Sequence, residues 1–459
     1  MKHVSMDRRR FIGTLAKTTA VSFAMPLILP SRIWGGESPN EKLNIACIGL
    51  GNMMQADMAQ AASLGHNIVA LCDVDKARVA VTRERQGAVV ASSKVYSDYR
   101  TMFDGEKSID AVIIATPDHW HVMIATAAIQ AGKHVYCEKP LTHTIGEARA
   151  LAGLAKRSKV VTQMGNQGSA SINLRRSVEL VQGGLLGAVR EVYIWEPAHG
   201  WPNGVNRPDG ADPVPDGLDW NFWLGPAPVR PYKKEIYHPG NWRGWFDFGG
   251  GSIADFCCHN FNLPVRALEL DFPDRIGLTA TELGKESFPT SCKVDYEFPA
   301  RAGKGPVTIR FSSGGGRPPA EATAGMAETF GQIPDGGCLL VGEKGTLSAG
   351  RWNTDCYVRM KAEPKFRGAD NHEAAKAIPV TLPRAPGNDH MKEWTEACRG
   401  GVKTFSPFDV GGHITEVGLA GLVAIRVGHE IKWDGVAMKS PGCPEADAFV
   451  KAQGRELGL

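Results

Sequence analysis

The sequence predicts an α/β protein of two domains, a doubly wound parallel sheet followed by an α/β domain with a mostly antiparallel sheet. Three observations carry this expectation. Between residues 43 and 165, short apolar runs alternate with stretches of helical period, the mark of a parallel sheet with crossover helices. After about residue 190 the runs alternate apolar and polar residues one by one, as half-buried antiparallel strands do. At 459 residues the chain also exceeds one comfortable core and suffices for two.

The first segment stands apart from this pattern. Residues 7–13 read DRRRFIG, and a mild apolar run from Thr14 to Leu29 follows, interrupted by Lys17 and Pro26. The run is too short and too polar to span a membrane, so residues 1–35 are set aside as a twin-arginine signal peptide. A basic tail or an uncleaved anchor is the alternative. This segment carries six Lys/Arg and one acid, so the net charge of +3 leaves a body near −2. Such a body argues against nucleic acid or an anionic membrane as partner.

The elements then follow in order. LNIACIGLG, HNIVALCDVD, DAVIIATP and KHVYCEKP read as strands, and HVMIATAAIQAG and TIGEARALAGLAKRS as helices. Together they make a domain over 43–165. A second domain is expected over 166–459, with REVYIWEP, RIGLTATEL, CKVDYEFPA, GPVTIRFSS and a hairpin in LLVGEKGTLSAG as its strands. Residues 196–250, rich in Gly, Pro, Asn and Trp, read as long ordered loops, and HMKEWTEACRGG and ITEVGLAGLVAIRVG as helices. No internal repeat or low-complexity linker is visible. The ten cysteines show neither C-x-x-C nor zinc-like spacing. Cys47, Cys72 and Cys137 lie in strands and read as buried thiols, which a chain folding in a reducing compartment keeps unpaired. Metal binding finds no support.

Gly49-Leu50-Gly51-Asn52-Met53-Met54 closes the first strand and opens a helix. Two glycines permit a tight turn and a close approach to a pyrophosphate, whose charge suits a helix N-terminus. Met54 stands where the usual fingerprint has a third glycine, a position that governs packing rather than phosphate contact. Asp73 ends the second strand, 22 residues after Gly51, where a carboxylate accepts hydrogen bonds from a ribose and repels a 2′-phosphate. A Rossmann domain binding NAD rather than NADP is therefore expected. Alternatively, Asp73 or Asp75 only caps the next helix.

Residues 115–121, ATPDHWH, and 131–141, AGKHVYCEKPL, resemble the glucose-fructose oxidoreductase/inositol dehydrogenase (Gfo/Idh/MocA) family, whose hallmark is a Glu-Lys-Pro after such a strand. The resemblance runs from residue 43 to near the C-terminus. It implies a Rossmann domain plus an α/β domain that often forms an oligomer interface, hence a homo-oligomer. By motif it implies Asn52 and Met53 beside the pyrophosphate, Thr116, Trp120 and His121 along the cofactor, and Glu138 and Lys139 near the nicotinamide ribose. Asn166, in QMGNQ, is implied as a further nicotinamide contact. Helix-start packing is the alternative for Trp120 and His121.

Oxidising a sugar carbinol requires a hydride acceptor, a proton acceptor and a cation for the developing alkoxide. Lys139 suits the last role; outside its Glu-Lys-Pro context it would read as a surface lysine. GGGSIADFCCHNF, residues 249–261, matches the family's glycine-rich turn followed by D-x-x-x-H on a helix. Asp255 and His259 then share a helical face, the carboxylate orienting an imidazole that exchanges the substrate proton in protonated and neutral forms. Against this, Ser252-x-x-Asp255 has the form of a capping box. Cys257 and Cys258 read as packing. Six of the eleven tryptophans fall between residues 195 and 245. Their rings suit sugar faces, so His199, Trp201, Tyr237, Trp242 and Arg243 are candidate substrate contacts, with a loop core or a subunit interface as the alternative.

The expected activity is NAD-dependent hydride transfer from a secondary hydroxyl of a sugar or glycoside, most specifically at C3. The alternative is NAD-dependent glycoside cleavage through a transient 3-keto intermediate, and a third is a silent sugar- or NAD-binding protein. Export already folded, to the periplasm or beyond the cytoplasm, implies that the dinucleotide travels tightly bound.

Overall fold

A computed structural model describes residues 42–451, residue 302 apart; the expected twin-arginine leader lies outside the described residues. Helices of six or more residues are labelled in chain order. The first part of the chain runs β1 (Asn44–Ile48), α1 (Asn52–Ser63), β2 (Asn67–Cys72), α2 (Lys76–Gln86), β3 (Lys94–Tyr96) and α3 (Tyr99–Gly105). It continues through β4 (Ala111–Ile114), α4 (Asp118–Gln130), β5 (His134–Glu138), α5 (Ile145–Arg157) and β6 (Thr162–Gly165). The six strands form a parallel sheet in the order β3-β2-β1-β4-β5-β6. Strand order reverses between β1 and β4, and the carboxyl ends of those strands open a crevice at that point. The central strands are buried on both faces, with Ile45, Ala46, Cys47, Val112 and Ile113 fully enclosed, which is why they read as continuous apolar runs.

The second part comprises α6 (Ile172–Gln182), β7 (Val189–Glu196), α7 (Gly251–Asn260), α8 (Asn262–Ala267), β8 (Arg275–Thr281), β9 (Ser291–Phe298) and β10 (Val307–Ser313). After these come β11 (Gly337–Gly342), β12 (Gly345–Ser348), β13 (Tyr357–Met360), β14 (Arg367–Gly368), α9 (His390–Cys398), α10 (Phe408–Val427) and β15 (Ile431–Lys432). A nine-stranded sheet results, ordered β14-β13-β12-β11-β7-β10-β9-β8-β15 and antiparallel except where β10 runs parallel to β7. Strand β9 shows why: its residues alternate between buried and more open positions, with Cys292, Val294, Tyr296 and Phe298 facing the core.

Two late helices tie the parts together. Helix α9 returns to the first sheet, where Met391 and Trp394 join the core of Ile45, Cys47 and Leu50. Helix α10 is mostly apolar because it is buried on nearly all sides. Its glycines allow this: a Cβ at Gly412 would press on Ala152 of α5, and one at Gly418 would run into Cys257 of α7 at 2.5 Å. Residues 197–250 form a long segment with its own aromatic core of Trp220, Trp223, Tyr237, Trp242, Trp245 and Phe248.

Candidate active site

The glycine turn after β1 is shaped by steric necessity. Gly49 has φ +81°, and a Cβ there would lie 2.7 Å from the Thr116 amide nitrogen, so only glycine fits. Gly51 is the N-cap of α1 and provides no side-chain cap, which leaves the amides of the first turn to the crevice. Met54, in place of a third glycine, is fully buried and packs in the core. Asp73 accepts hydrogen bonds from the amides of Leu50 (2.6 Å) and Asp75 (2.9 Å). Burial raises its pKa against those two bonds. Helix α2 is capped instead by Asp75, which accepts from Ala77 at 2.8 Å, so Asp73 is left facing the crevice.

Gly49, Gly51, Asn52, Met53, Asp73, Thr116, Trp120, Glu138 and Lys139 line one continuous cleft. Thr116 Oγ1 is buried with no protein partner, an orphaned hydroxyl that fits a polar ligand in this cleft. Two of the expected cofactor contacts are placed otherwise. His121 is buried with both ring nitrogens against protein carbonyls, Nδ1 at 2.8 Å from Pro140 O and Nε2 at 2.9 Å from Thr116 O. Asn166 is fully enclosed, its amide donating to Cys258 O (3.1 Å) and accepting from Ser169 (3.0 Å). Both residues stand behind the cleft wall.

At the end of the cleft, Lys139 Nζ donates to the Asp255 backbone carbonyl and to Oδ1, each at 2.9 Å. Arg243 Nε meets the same Oδ1 at 3.3 Å. Burial pushes the Asp255 pKa upward, but the two cations outweigh it and hold the carboxyl near 2. Burial likewise works against the Lys139 charge, and Asp255 and Glu138 reverse it. Glu138 is pushed up to about 7 by burial, although Lys139 opposes this, and its Oε1 accepts from Gln167 at 2.7 Å. Asp118, which sequence reasoning passed over, is buried in the same neighbourhood and raised well above the usual range by burial and by Asp255.

Helix α7 begins at a Gly250 N-cap with no side-chain cap, and the Ser252 hydroxyl is unpartnered, so the capping-box reading of Asp255 falls. The expected Asp255–His259 pairing falls too. Asp255 is engaged by Lys139 and Arg243, while both His259 ring nitrogens are buried without any partner. Burial, and next Lys139, push the His259 pKa well below its ordinary value, so the imidazole is neutral. Its ring packs edge-on against Trp352 at 4.4 Å. Cys257 and Cys258 are fully buried.

Of the candidate substrate residues, Trp242 and Arg243 line the cleft. His199 is stacked between Trp201 (4.4 Å) and Phe256 (4.8 Å), next to the helix that carries Asp255. Tyr237 does not line the cleft; it is enclosed in the aromatic core of the long segment, against Trp245 and Phe248. Trp352 and Phe222 were missed. Trp352 follows β12 with no surrounding motif, and Phe222 lies in a loop-like run whose only signal was its density of aromatic residues.

Known proteins can be set beside this geometry. A family model for the Gfo/Idh/MocA oxidoreductase family, NAD-binding Rossmann fold, matches residues 43–166. The model for the same family's C-terminal alpha/beta domain matches residues 173–298, and together the two cover more than half of the chain. The levoglucosan dehydrogenase of Pseudarthrobacter phenanthrenivorans is 31% identical over 129 residues, which is 28% of this chain and 30% of that protein. An inositol 2-dehydrogenase of Saccharopolyspora erythraea is 32% identical over 127 residues, 27% of this chain and 36% of the relative. The chain thus spans about a third of the length of these curated relatives. In structure it resembles the WlbA dehydrogenase of Bordetella pertussis, solved with NADH and UDP-GlcNAcA, with a TM-score of 0.60 and 15% identity. That match covers 86% of this chain and 98% of the other. With the first family model spanning the parallel sheet and the second running from α6 through β9, the chain belongs to the Gfo/Idh/MocA family of oxidoreductases and carries that family's NAD-binding Rossmann domain.

Proposed function

We propose that this protein oxidises a secondary hydroxyl of a sugar or glycoside, at C3 in the most specific form, by hydride transfer to an NAD it holds tightly. The observation that carries this reading is the Lys139–Asp255–Arg243 cluster at the end of the dinucleotide cleft, with Asp255 one helical turn before an unpartnered His259 on α7. NAD, when bound, supplies the hydride acceptor. His259, neutral and without a competing partner, takes the hydroxyl proton. Lys139 stabilises the oxygen as negative charge develops, and Asp255 fixes the ammonium by accepting at both its carboxylate and its backbone carbonyl. The names of the curated relatives, levoglucosan and inositol dehydrogenases, favour a sugar or cyclitol as substrate. The DRRRFIG leader favours twin-arginine export, with the cofactor loaded before the membrane is crossed. Homo-oligomerisation through the second domain belongs to the same reading.

Mass spectrometry of the nucleotide released on denaturing natively purified protein tests the cofactor, and a panel of sugars and glycosides followed at 340 nm tests the reaction. Stoichiometric NAD and sugar-dependent reduction are expected, with the Lys139→Ala variant slower by roughly 10²–10³-fold. Aglycone release without net NADH would point to glycoside cleavage instead. A Lys139→Ala enzyme of undiminished rate sinks the assignment of the site.

A further inference from the structure

The dinucleotide cleft is not walled by the first domain alone. Its opposite wall consists of Phe222, Trp223, His238, Pro239, Trp242 and Arg243, all from the long segment between β7 and α7. That segment is fastened to the first domain next to Asp73. The Asp219 amide donates to Val74 O and the Lys76 amide to Gly217 O, each at 3.0 Å, and Asp75 and Leu218 form an antiparallel bridge between them. A side-chain link follows, His238 Nε2 to Asp75 Oδ2 at 2.8 Å. At the far side of the cleft, Trp120 donates its indole N–H to Trp223 O at 3.0 Å and stacks on Phe222 at 5.1 Å and 16°. Gly225 lies so close to the Trp120 ring that any side chain there would overlap it.

A loop draped over a cleft by chance would have few such links and no interior. This one has both: the fastenings beside Asp73 and at Trp120, and an aromatic core of its own behind the cleft wall. Segments of that kind open only by breaking several buried contacts together.

We infer that residues 217–243 are a clasp that retains the dinucleotide, with the His238–Asp75 hydrogen bond as its latch and the Trp120–Phe222 stack as a second closure. The inference rests on the NAD reading above and adds residues of the second domain to that site. His238 and Phe222 are positioning residues. They hold the wall shut, so their loss speeds release of the nucleotide. A segment that sequence reads as loop thereby acquires a role that suits a protein expected to carry its cofactor out of the cytoplasm.

The test uses the full chain and NADH as probe, with release followed by NADH fluorescence on dilution into excess NAD. His238→Ala and Phe222→Ala are each expected to speed release about tenfold, the loss of one good hydrogen bond or ring contact, at unchanged Tm. His238→Gln, which keeps a donor, is expected to restore slow release. Amide exchange of the unmodified protein supplies a readout independent of variants: NADH should slow exchange across residues 217–243. NADH that binds but is released at the same rate from every variant, or that leaves exchange in 217–243 unchanged, overturns the clasp alone. A chain that binds no NADH at all overturns the dinucleotide reading and the clasp with it.

Discussion

One imidazole joins two ends of the cleft. His121 reaches Thr116 O, just after β4, and Pro140 O, just after Lys139, and so keeps the cofactor wall and the lysine in fixed relation. Burial, opposed by those two carbonyls and aided by Lys139 and Arg243, pushes its pKa down to about 4. The unfolded chain, with an ordinary histidine near 6.5, therefore binds the proton first as pH falls. The sign follows: this group's contribution to stability is complete above pH 6.5 and is lost as pH falls toward 4. Between pH 6.5 and 5 the loss is at most about 2 kcal/mol for one histidine. His121→Gln keeps a donor and does not titrate. Urea unfolding at pH 7.5 and pH 5 should show the native protein losing up to about 2 kcal/mol more than the variant on acidification; parallel losses would refute it. The motif ATPDHWH announces His121, but not which atoms it faces, because Pro140 lies 19 residues on. Asp255 teaches the same lesson. Helical spacing places it on one face with His259, while its actual partner is Lys139, 116 residues earlier in the chain.

Helix α7 delivers the site, and its first turn limits what can precede it. Gly251 adopts φ +58°, and a Cβ there would overlap the Phe288 ring. Gly251→Ala combines the left-handed penalty of about 1–2 kcal/mol with overpacking of about 1–3 kcal/mol. It should also move Asp255 and His259 and abolish turnover. Gly400 offers the comparison, since it has φ +81° with nothing within 4 Å of an added Cβ. Gly400→Ala should cost only the backbone part and leave activity intact, and equal losses of stability in the two variants would remove steric overlap with Phe288 from the account. Elements of this kind were readable from the chain: the apolar runs LNIACIGLG and DAVIIATP are β1 and β4, and HMKEWTEACRGG is a helix. Their assignment to a core was not. Helix α9 falls in the second half of the sequence but packs Met391 and Trp394 into the first sheet, because a periodic pattern shows which face is apolar and not what covers it.

For the whole molecule, the two-sheet division was visible as a change of period near residue 190, whereas the wall across the cleft was not. Its aromatic residues follow neither a helical nor a strand period, so the core formed by Trp220, Trp223, Tyr237 and Trp245 has no sequence signature beyond density. The cysteines bear on where such a structure forms. All ten thiols are free, nine buried and Cys398 half-buried. Burial raises the thiols of Cys292 and Cys338 to about 12, which suppresses the thiolate that oxidation requires. Cys257 and Cys258, with sulfurs 3.8 Å apart, are enclosed in α7 against α10. A fold stabilised by packed thiols rather than cross-links does not need an oxidising compartment in order to form. The consequence is measurable. Ellman's reagent should titrate no more than the Cys398 thiol in the native protein and all ten after denaturation, with the same Tm in the presence and absence of reductant. A native count of several thiols would show that the enclosing core opens readily. A denatured count below ten, with Tm lowered by reductant, would mean that disulfides form, and would separate the folding of this chain from the reducing compartment in which it is proposed to acquire NAD.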